Sequence, residues 1–140
     1  MKKIMFLCTA NACRSQIAEG FAKKYSRGLI EVHSAGLMAA GLHWRAVSVM
    51  NELGIDISGQ QSKEIDEMLI RQMDIVITLC SHAEELCPKT PAHVRRLYWP
   101  IRDPVATVGT EDFIMSDFRR ARDEIEEKVR TLVKGLLLSG

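Results

Sequence analysis

The chain has 140 residues, of which 46% are hydrophobic, and its 19 basic and 18 acidic side chains leave a net charge of +1. That length fits one domain spanning 1–140 that buries roughly 70% of its unfolded surface, so neither a metal nor a disulfide is needed to hold a core. Balanced charge excludes the basic footprint of a nucleic-acid binder or of a protein drawn to an anionic membrane, so any anion must be held locally.

At the start of the chain, the apolar run Ile4-Met5-Phe6-Leu7 is too short for the h-region of a signal peptide. It reads instead as a short strand buried on both faces. Ile17, Ala18, Phe21, Ala22 and Tyr25 then recur at helical spacing, with Glu19, Lys23 and Lys24 opposite and Gly28 as the stop. A strand is expected over 29–35, halted by Gly36. Helices are expected over 45–53, closed by Gly54, and over 64–73. Asp74 to Leu79 is the clearest buried strand, and 95–99 is a weaker fourth. Met38, Met50, Met68 and Met73 read as core filler.

The last helix is expected over 113–137, where Ile114, Phe118, Ala121, Ile125, Val129, Leu132 and Leu136 step by three or four. Its apolar tail is broken by Lys134 and is far below spanning length. A cytoplasmic protein with no membrane partner is expected, in which four cysteines are more readily reactive or metal-binding than structural. Strands alternating with helices predict an α/β fold: a single-domain, four-stranded parallel sheet with helices on both faces. Ligands of such sheets bind beyond the carboxyl ends of the strands, where Cys8 and Cys80 both fall.

The segment Cys8-Thr9-Ala10-Asn11-Ala12-Cys13-Arg14-Ser15 runs from the first strand directly into a helix N-terminus. A loop wrapped in this way points the N–H groups of Thr9, Ala10, Asn11, Ala12 and Cys13 inward, and the helix dipole adds positive potential. Arg14 supplies a planar fork of donors for two oxygens of a tetrahedral anion. The same field favours the reactive thiolate form of Cys8, and a hydrogen bond from Ser15 favours it further. Cys8 is thus the expected nucleophile, and Cys13 is expected to be structural.

Cys80 and Cys87 flank six residues, with Pro88 following. The pair can close into a disulfide if the intervening polar segment, expected to be exposed, is mobile or can coil. Two other readings stand beside this one: isolated thiols, and a zinc site shared with Cys8 and Cys13 that the six-residue gap fits poorly. Asp103-Pro104 is a rigid turn that can present a carboxyl as general acid. His33, His43, His82 and His93 do not cluster at ligand spacing.

Taken together, the Cys8–Ser15 loop, Cys80…Cys87-Pro88 and Asp103-Pro104 resemble the thioredoxin-coupled arsenate reductases, which share the fold of low-molecular-weight protein tyrosine phosphatases. Glu19-Gly20, Ser34-Ala35-Gly36, Gly54 to Ser58, Thr78-Leu79-Cys80 and Arg122 to Ile125 also look like family segments. The resemblance implies that Cys8 attacks arsenate, with Asp103 as proton donor and Arg14 holding the remaining oxygens. Cys80 then attacks Cys8, releasing arsenite and leaving a Cys8–Cys80 disulfide. Cys87 converts this to Cys80–Cys87, which thioredoxin reduces. No bound cofactor is expected, electrons come from reduced thioredoxin, phosphate or sulfate compete with arsenate, and the chain is expected to act as a monomer.

Some family members bind potassium through residues matching Asn11, Glu19 and Ser34. Lys63 stands where their fourth, acidic ligand would be, so its ammonium is expected in the cation's place. The competing function is a phosphatase of the same fold; against it, Val105-Ala106 follow Asp103-Pro104 where such phosphatases place aromatic residues.

Overall fold

Ile4, Met5, Phe6 and Leu7 point alternately to opposite faces of a strand, yet none is more than 1% exposed. Both faces of the sheet at this strand are therefore covered. The computed structural model, which describes residues 1–139, places this strand, β1 (Lys2–Cys8), in the interior of a four-stranded parallel sheet. It pairs with β2 (Ile30–Gly36) on one side and with β3 (Ile75–Thr78) on the other, and β4 (Arg95–Tyr98) lies beyond β3. The order is β2-β1-β3-β4, so the chain reverses its winding direction between β1 and β3. That reversal opens a crevice beyond the carboxyl ends of these two strands. Cys8 ends β1, and Cys80 follows β3 by two residues.

Helix α1 (Arg14–Ser26) leaves the loop after β1 and buries Ile17, Ala18, Phe21 and Ala22 completely. It ends where Arg27 and Gly28 both take positive φ, a conformation free of cost only for the glycine. Helix α2 (Trp44–Asn51) starts one residue before and ends two residues before the expected 45–53. The last helix, α5 (Glu111–Ser139), buries Phe118, Ala121, Ile125, Val129 and Val133 and packs along α1 and α2.

Two expectations are corrected. The helix expected over 64–73 is only α3 (Glu67–Ile70). Glu64 instead extends the parallel pairing of β2 through a bridge to Gly36, and Asp66 then caps α3 by accepting from Met68 N at 2.9 Å. The polar segment between Cys80 and Cys87 is largely exposed, as expected, and coils as helix α4 (Ser81–Leu86), with Ala83 buried. Of the four methionines read as core, Met50 and Met73 are buried, whereas Met38 and Met68 are exposed. Among the described residues no helix is long and apolar enough to cross a membrane.

Candidate active site

The loop from Cys8 to Cys13 is held by its carbonyls. Leu37, Met38, Ala40 and His43 donate backbone N–H groups to the carbonyls of Cys8, Thr9, Ala10 and Ala12 at 2.9–3.3 Å. These bonds engage the loop carbonyls and leave the backbone N–H groups of Thr9 to Cys13 out of the strap. None of them donates to a protein acceptor among the described residues. A ring of free N–H donors at a helix N-terminus matches a tetrahedral oxyanion. The strap can lie this close because Gly36 has no side chain: a Cβ there would meet the Asn11 nitrogen and the Met38 carbonyl oxygen at 2.6 Å.

Asn11 organises the loop from a left-handed backbone, φ 48°, which asparagine tolerates better than most residues. Its amide orientation is unambiguous, because Oδ1 accepts from the Lys63 backbone N–H at 2.8 Å. Nδ2 therefore donates to the hydroxyls of Ser15, at 2.7 Å, and Ser34, at 2.9 Å. Ser34 in turn donates to the buried Glu19 carboxylate at 2.5 Å. Ser15 Oγ lies 2.8 Å from Cys8 Sγ. A continuous hydrogen-bonded chain thus links Glu19 to the candidate nucleophile.

Arg14 is the first residue of α1 and is buried. Its Nη1 donates to the Ile101 carbonyl at 2.9 Å, and Nη2 lies 3.5 Å from Asp103 Oδ2. Asp103, half exposed, accepts from Val105 N at 2.9 Å through its other oxygen, which fixes the turn. Cys8, Arg14, Cys80 and Asp103 line one open cleft, together with His43, Trp44 and Tyr98. Burial pushes the Cys13 thiol far up, the charges of Cys8 and Asp103 add to this, and Arg14 opposes it only in part. Cys13 is therefore a neutral thiol.

Cys80 is the N-cap of α4, where its Sγ accepts from Ala83 N at 3.4 Å and lies 3.2 Å from Thr9 Oγ1. Cys87 caps the other end, half-buried, and donates to the Pro88 carbonyl at 3.5 Å. All four cysteines are free. Seven residues of helical rise separate Cys80 from Cys87, about 10.5 Å, and a disulfide needs Cα atoms within about 6.8 Å. The pair meets only if α4 uncoils.

The potassium ligands expected from sequence are closed on one another. Asn11 Oδ1 is taken by the Lys63 N–H and by Gln16 Nε2. Glu19 accepts from Ser34 and pairs with Lys23 at 2.5 Å, while Lys63 Nζ stands 3.9 Å away. Ser34 Oγ accepts from Asn11 Nδ2 at 2.9 Å, so a lone pair that a cation would need is taken, and this set of oxygens fits an added cation poorly. No group of three His, Cys, Asp or Glu side chains among the described residues is placed to hold a metal.

Sequence reasoning missed the strap at 37–43, the wall residues Leu42 and Trp44, and the contact of Thr9 with Cys80. It also left His43 unassigned. His43 caps α2, packs at a tilt against Phe118 with ring centroids 5.1 Å apart, and lines the cleft. Only its position just ahead of an apolar helical repeat carried a signal, since a histidine is not among the usual capping residues.

The family model described as low molecular weight phosphotyrosine protein phosphatase matches residues 3–138. The arsenate reductase of Halalkalibacterium halodurans is 47% identical over 133 residues, which cover 95% of this chain and 96% of that protein. A solved structure of an arsenate reductase in the phosphate binding state superposes with a TM-score of 0.79 at 37% identity, covering 96% of this chain and 98% of the other. The Corynebacterium glutamicum thioredoxin-dependent arsenate reductase superposes with a TM-score of 0.81 at 28% identity, over 100% of this chain and 64% of that one.

Proposed function

The chain belongs to the low molecular weight phosphotyrosine protein phosphatase family, and on that premise we propose that it reduces arsenate to arsenite by a relay of Cys8, Cys80 and Cys87 that thioredoxin regenerates. One observation carries this reading beyond the fold: Cys80 reaches the anion loop, with its Sγ 3.2 Å from the hydroxyl of Thr9, the residue next to Cys8. A hydrolase has no use for a second thiol there.

In the first step the loop N–H groups of Thr9 to Cys13 and the Arg14 fork hold arsenate over Cys8. The Cys8 sulfur bonds to arsenic as one arsenate oxygen leaves as water, protonated by Asp103. Cys80 then attacks the Cys8 sulfur. The sulfur–arsenic bond breaks, its electron pair stays on arsenic, and arsenite departs from a Cys8–Cys80 disulfide. Cys87 attacks Cys80, which frees Cys8 and moves the oxidation to the outer end of α4, within reach of a protein reductant. Reduced thioredoxin supplies the two electrons that close the cycle. A reducing cytoplasm is the setting in which such thiols persist, and the monomer contains every group the cycle uses.

Phosphate and sulfate share the tetrahedral shape and charge of arsenate, so both compete for the loop. Slow hydrolysis of phosphate monoesters by Cys8 and Asp103 is a second reading. It rests on the loop alone and leaves Cys80 and Cys87 without a role.

The test is NADPH consumption with arsenate, thioredoxin and thioredoxin reductase, for the wild type and for the Cys8→Ser, Cys80→Ser and Cys87→Ser variants. Multiple turnovers are expected from the wild type and none from any variant. Full activity without Cys87, or coupling only to glutaredoxin, overturns the relay.

A further inference from the structure

Arg96 projects from β4 onto the far end of α4. Its Nη2 lies 3.5 Å from Glu84 Oε1, and its Nη1 donates to the Pro88 carbonyl oxygen at 3.5 Å. Its Nε is buried and has no hydrogen-bond partner, an unusual state for a guanidinium N–H. The same Pro88 carbonyl accepts from the Cys87 thiol. Arg96 and Cys87 therefore converge on one oxygen atom.

Glu84 is shared as well. Its other oxygen accepts from the hydroxyl of Thr78, the last residue of β3. In the resting fold, then, Glu84 pins the middle of α4 to the sheet and keeps part of the Arg96 charge to itself. Burial pushes the Cys87 thiol up, Arg96 pulls it down, and Glu84 opposes Arg96. In this state the Cys87 thiol donates to the Pro88 carbonyl oxygen at 3.5 Å and is kept from Arg96's full charge by Glu84.

We propose that Arg96 is a positioning residue for the second thiol exchange: when α4 uncoils and carries Glu84 away, the guanidinium is left to face the Cys87 thiolate and aim it at Cys80. The proposal rests on the three-cysteine relay. In the step itself, Cys87 gives its proton to solvent and its sulfur bonds to Cys80 as the Cys8–Cys80 bond breaks. Cys8 leaves as a thiolate, and no net oxidation or reduction occurs. The uncoiling needed for this contact supplies the gating: until it happens, Glu84 neutralises the activator and Cys87 stays protected from stray oxidants.

The test is a single turnover with one equivalent of arsenate, quenched in acid and alkylated. Peptide mass spectrometry then follows the Cys8–Cys80 and Cys80–Cys87 disulfides over time, between pH 6 and 9. Arg96→Gln is expected to release arsenite as the wild type does but to slow disulfide transfer at least tenfold, with its pH–rate profile displaced to higher pH. Arg96→Lys is expected to recover much of the rate, and Glu84→Gln to move the profile to lower pH. Equal profiles for wild type and Arg96→Gln, or equal losses in Arg96→Gln and Arg96→Lys, overturn the proposal. If Arg96→Gln does not fold, an unmoved profile in Glu84→Gln overturns it alone. Absence of arsenite and of Cys8–Cys80 in every protein, wild type included, marks failure of the relay itself.

Discussion

The Ser15 hydroxyl lies 2.8 Å from the Cys8 sulfur and is the donor of their hydrogen bond when Cys8 reacts as a thiolate. Asn11 Nδ2 already occupies one side of the Ser15 oxygen at 2.7 Å, and Cys8 Sγ, at 2.8 Å, is the acceptor left for the hydroxyl proton. The placement of Ser15 follows from a backbone group: the Lys63 N–H fixes the Asn11 amide, whose Nδ2 then holds the Ser15 oxygen. The nucleophile is therefore oriented by a network that begins at Lys63, beside the end of β2, and ends at the first residues of α1.

Ser15→Ala removes that donor and leaves the Asn11 amide short of an acceptor. A hydrogen bond to a charged group contributes roughly 1.5–3 kcal/mol, or about 10-fold to 100-fold in rate. The rate of the first arsenite burst is expected to fall by that factor, with KM for arsenate changed much less. A burst as fast as that of the wild type would show that the contact is structural only.

Uncoiling of α4 has a direct signature. Glu84 N and Cys87 N donate to the carbonyls of Cys80 and Ala83 at 3.1 and 2.9 Å in the free-thiol state. A Cys80–Cys87 disulfide cannot form around those bonds, because about 10.5 Å of helical rise must shrink to about 6 Å. Hydrogen exchange followed by mass spectrometry is expected to show protected amides over 81–87 in the reduced protein and rapid exchange in the oxidised one. Amides of β1 should remain slow in both. Equal protection of α4 in the two states would exclude the pair as a disulfide.

The sheet and the loop were legible in the sequence because each rests on local signals. The apolar runs Ile4–Leu7 and Ile75–Leu79 have lengths that suit only buried strands. Cys8 to Ser15 joins one of them to an amphipathic helix, which places the N–H groups without tertiary information. The helix expected over 64–73 failed because Glu64 and Ile65 are recruited by β2, a long-range pairing that outweighs local spacing. Helix α4 was legible only as an exposed polar segment that is mobile or can coil, for the opposite reason. Six residues are too few for helical periodicity to register, and its order comes from Cys80 as a cap and from Glu84 held by Thr78 and Arg96. Arg96 itself gave no signal, since an arginine in a half-exposed edge strand reads as solvated surface.

Lys63 is expected to make this chain indifferent to potassium. Glu19, buried beneath the loop, already faces Lys23 and Lys63, and every acceptor of the Asn11 side chain is occupied. Replacing sodium by potassium at constant ionic strength should leave both Tm and arsenate turnover of the wild type unchanged. Lys63→Asp removes one of the two ammonium groups that face Glu19 and supplies an acidic side chain, so both quantities should then rise with potassium. A strong potassium response in the wild type would overturn this assignment.

Acid stability is expected to depend on Asp117. This buried carboxylate on α5 accepts from Arg120 Nε and Arg102 Nη2, both at 2.9 Å, and from the Thr107 hydroxyl, so it ties the Asp103-Pro104 turn to the helix. The Arg120 hydrogen bond holds its carboxyl below the usual range, helped by Thr107 and Arg102 and opposed by burial. A carboxyl whose folded value is depressed stabilises the fold fully above its unfolded value, about 3.9, and loses that contribution as pH falls through the folded value. Between pH 5 and pH 2.5 the wild-type Tm should therefore drop more steeply than that of Asp117→Asn, whose Tm at pH 7 should be several degrees lower. Turnover should fall as well, because the turn that carries Asp103 loses its anchor while Cys8, Arg14 and Ser15 keep theirs. Parallel Tm curves for the two proteins across this range would show that Asp117 contributes no proton-linked stability.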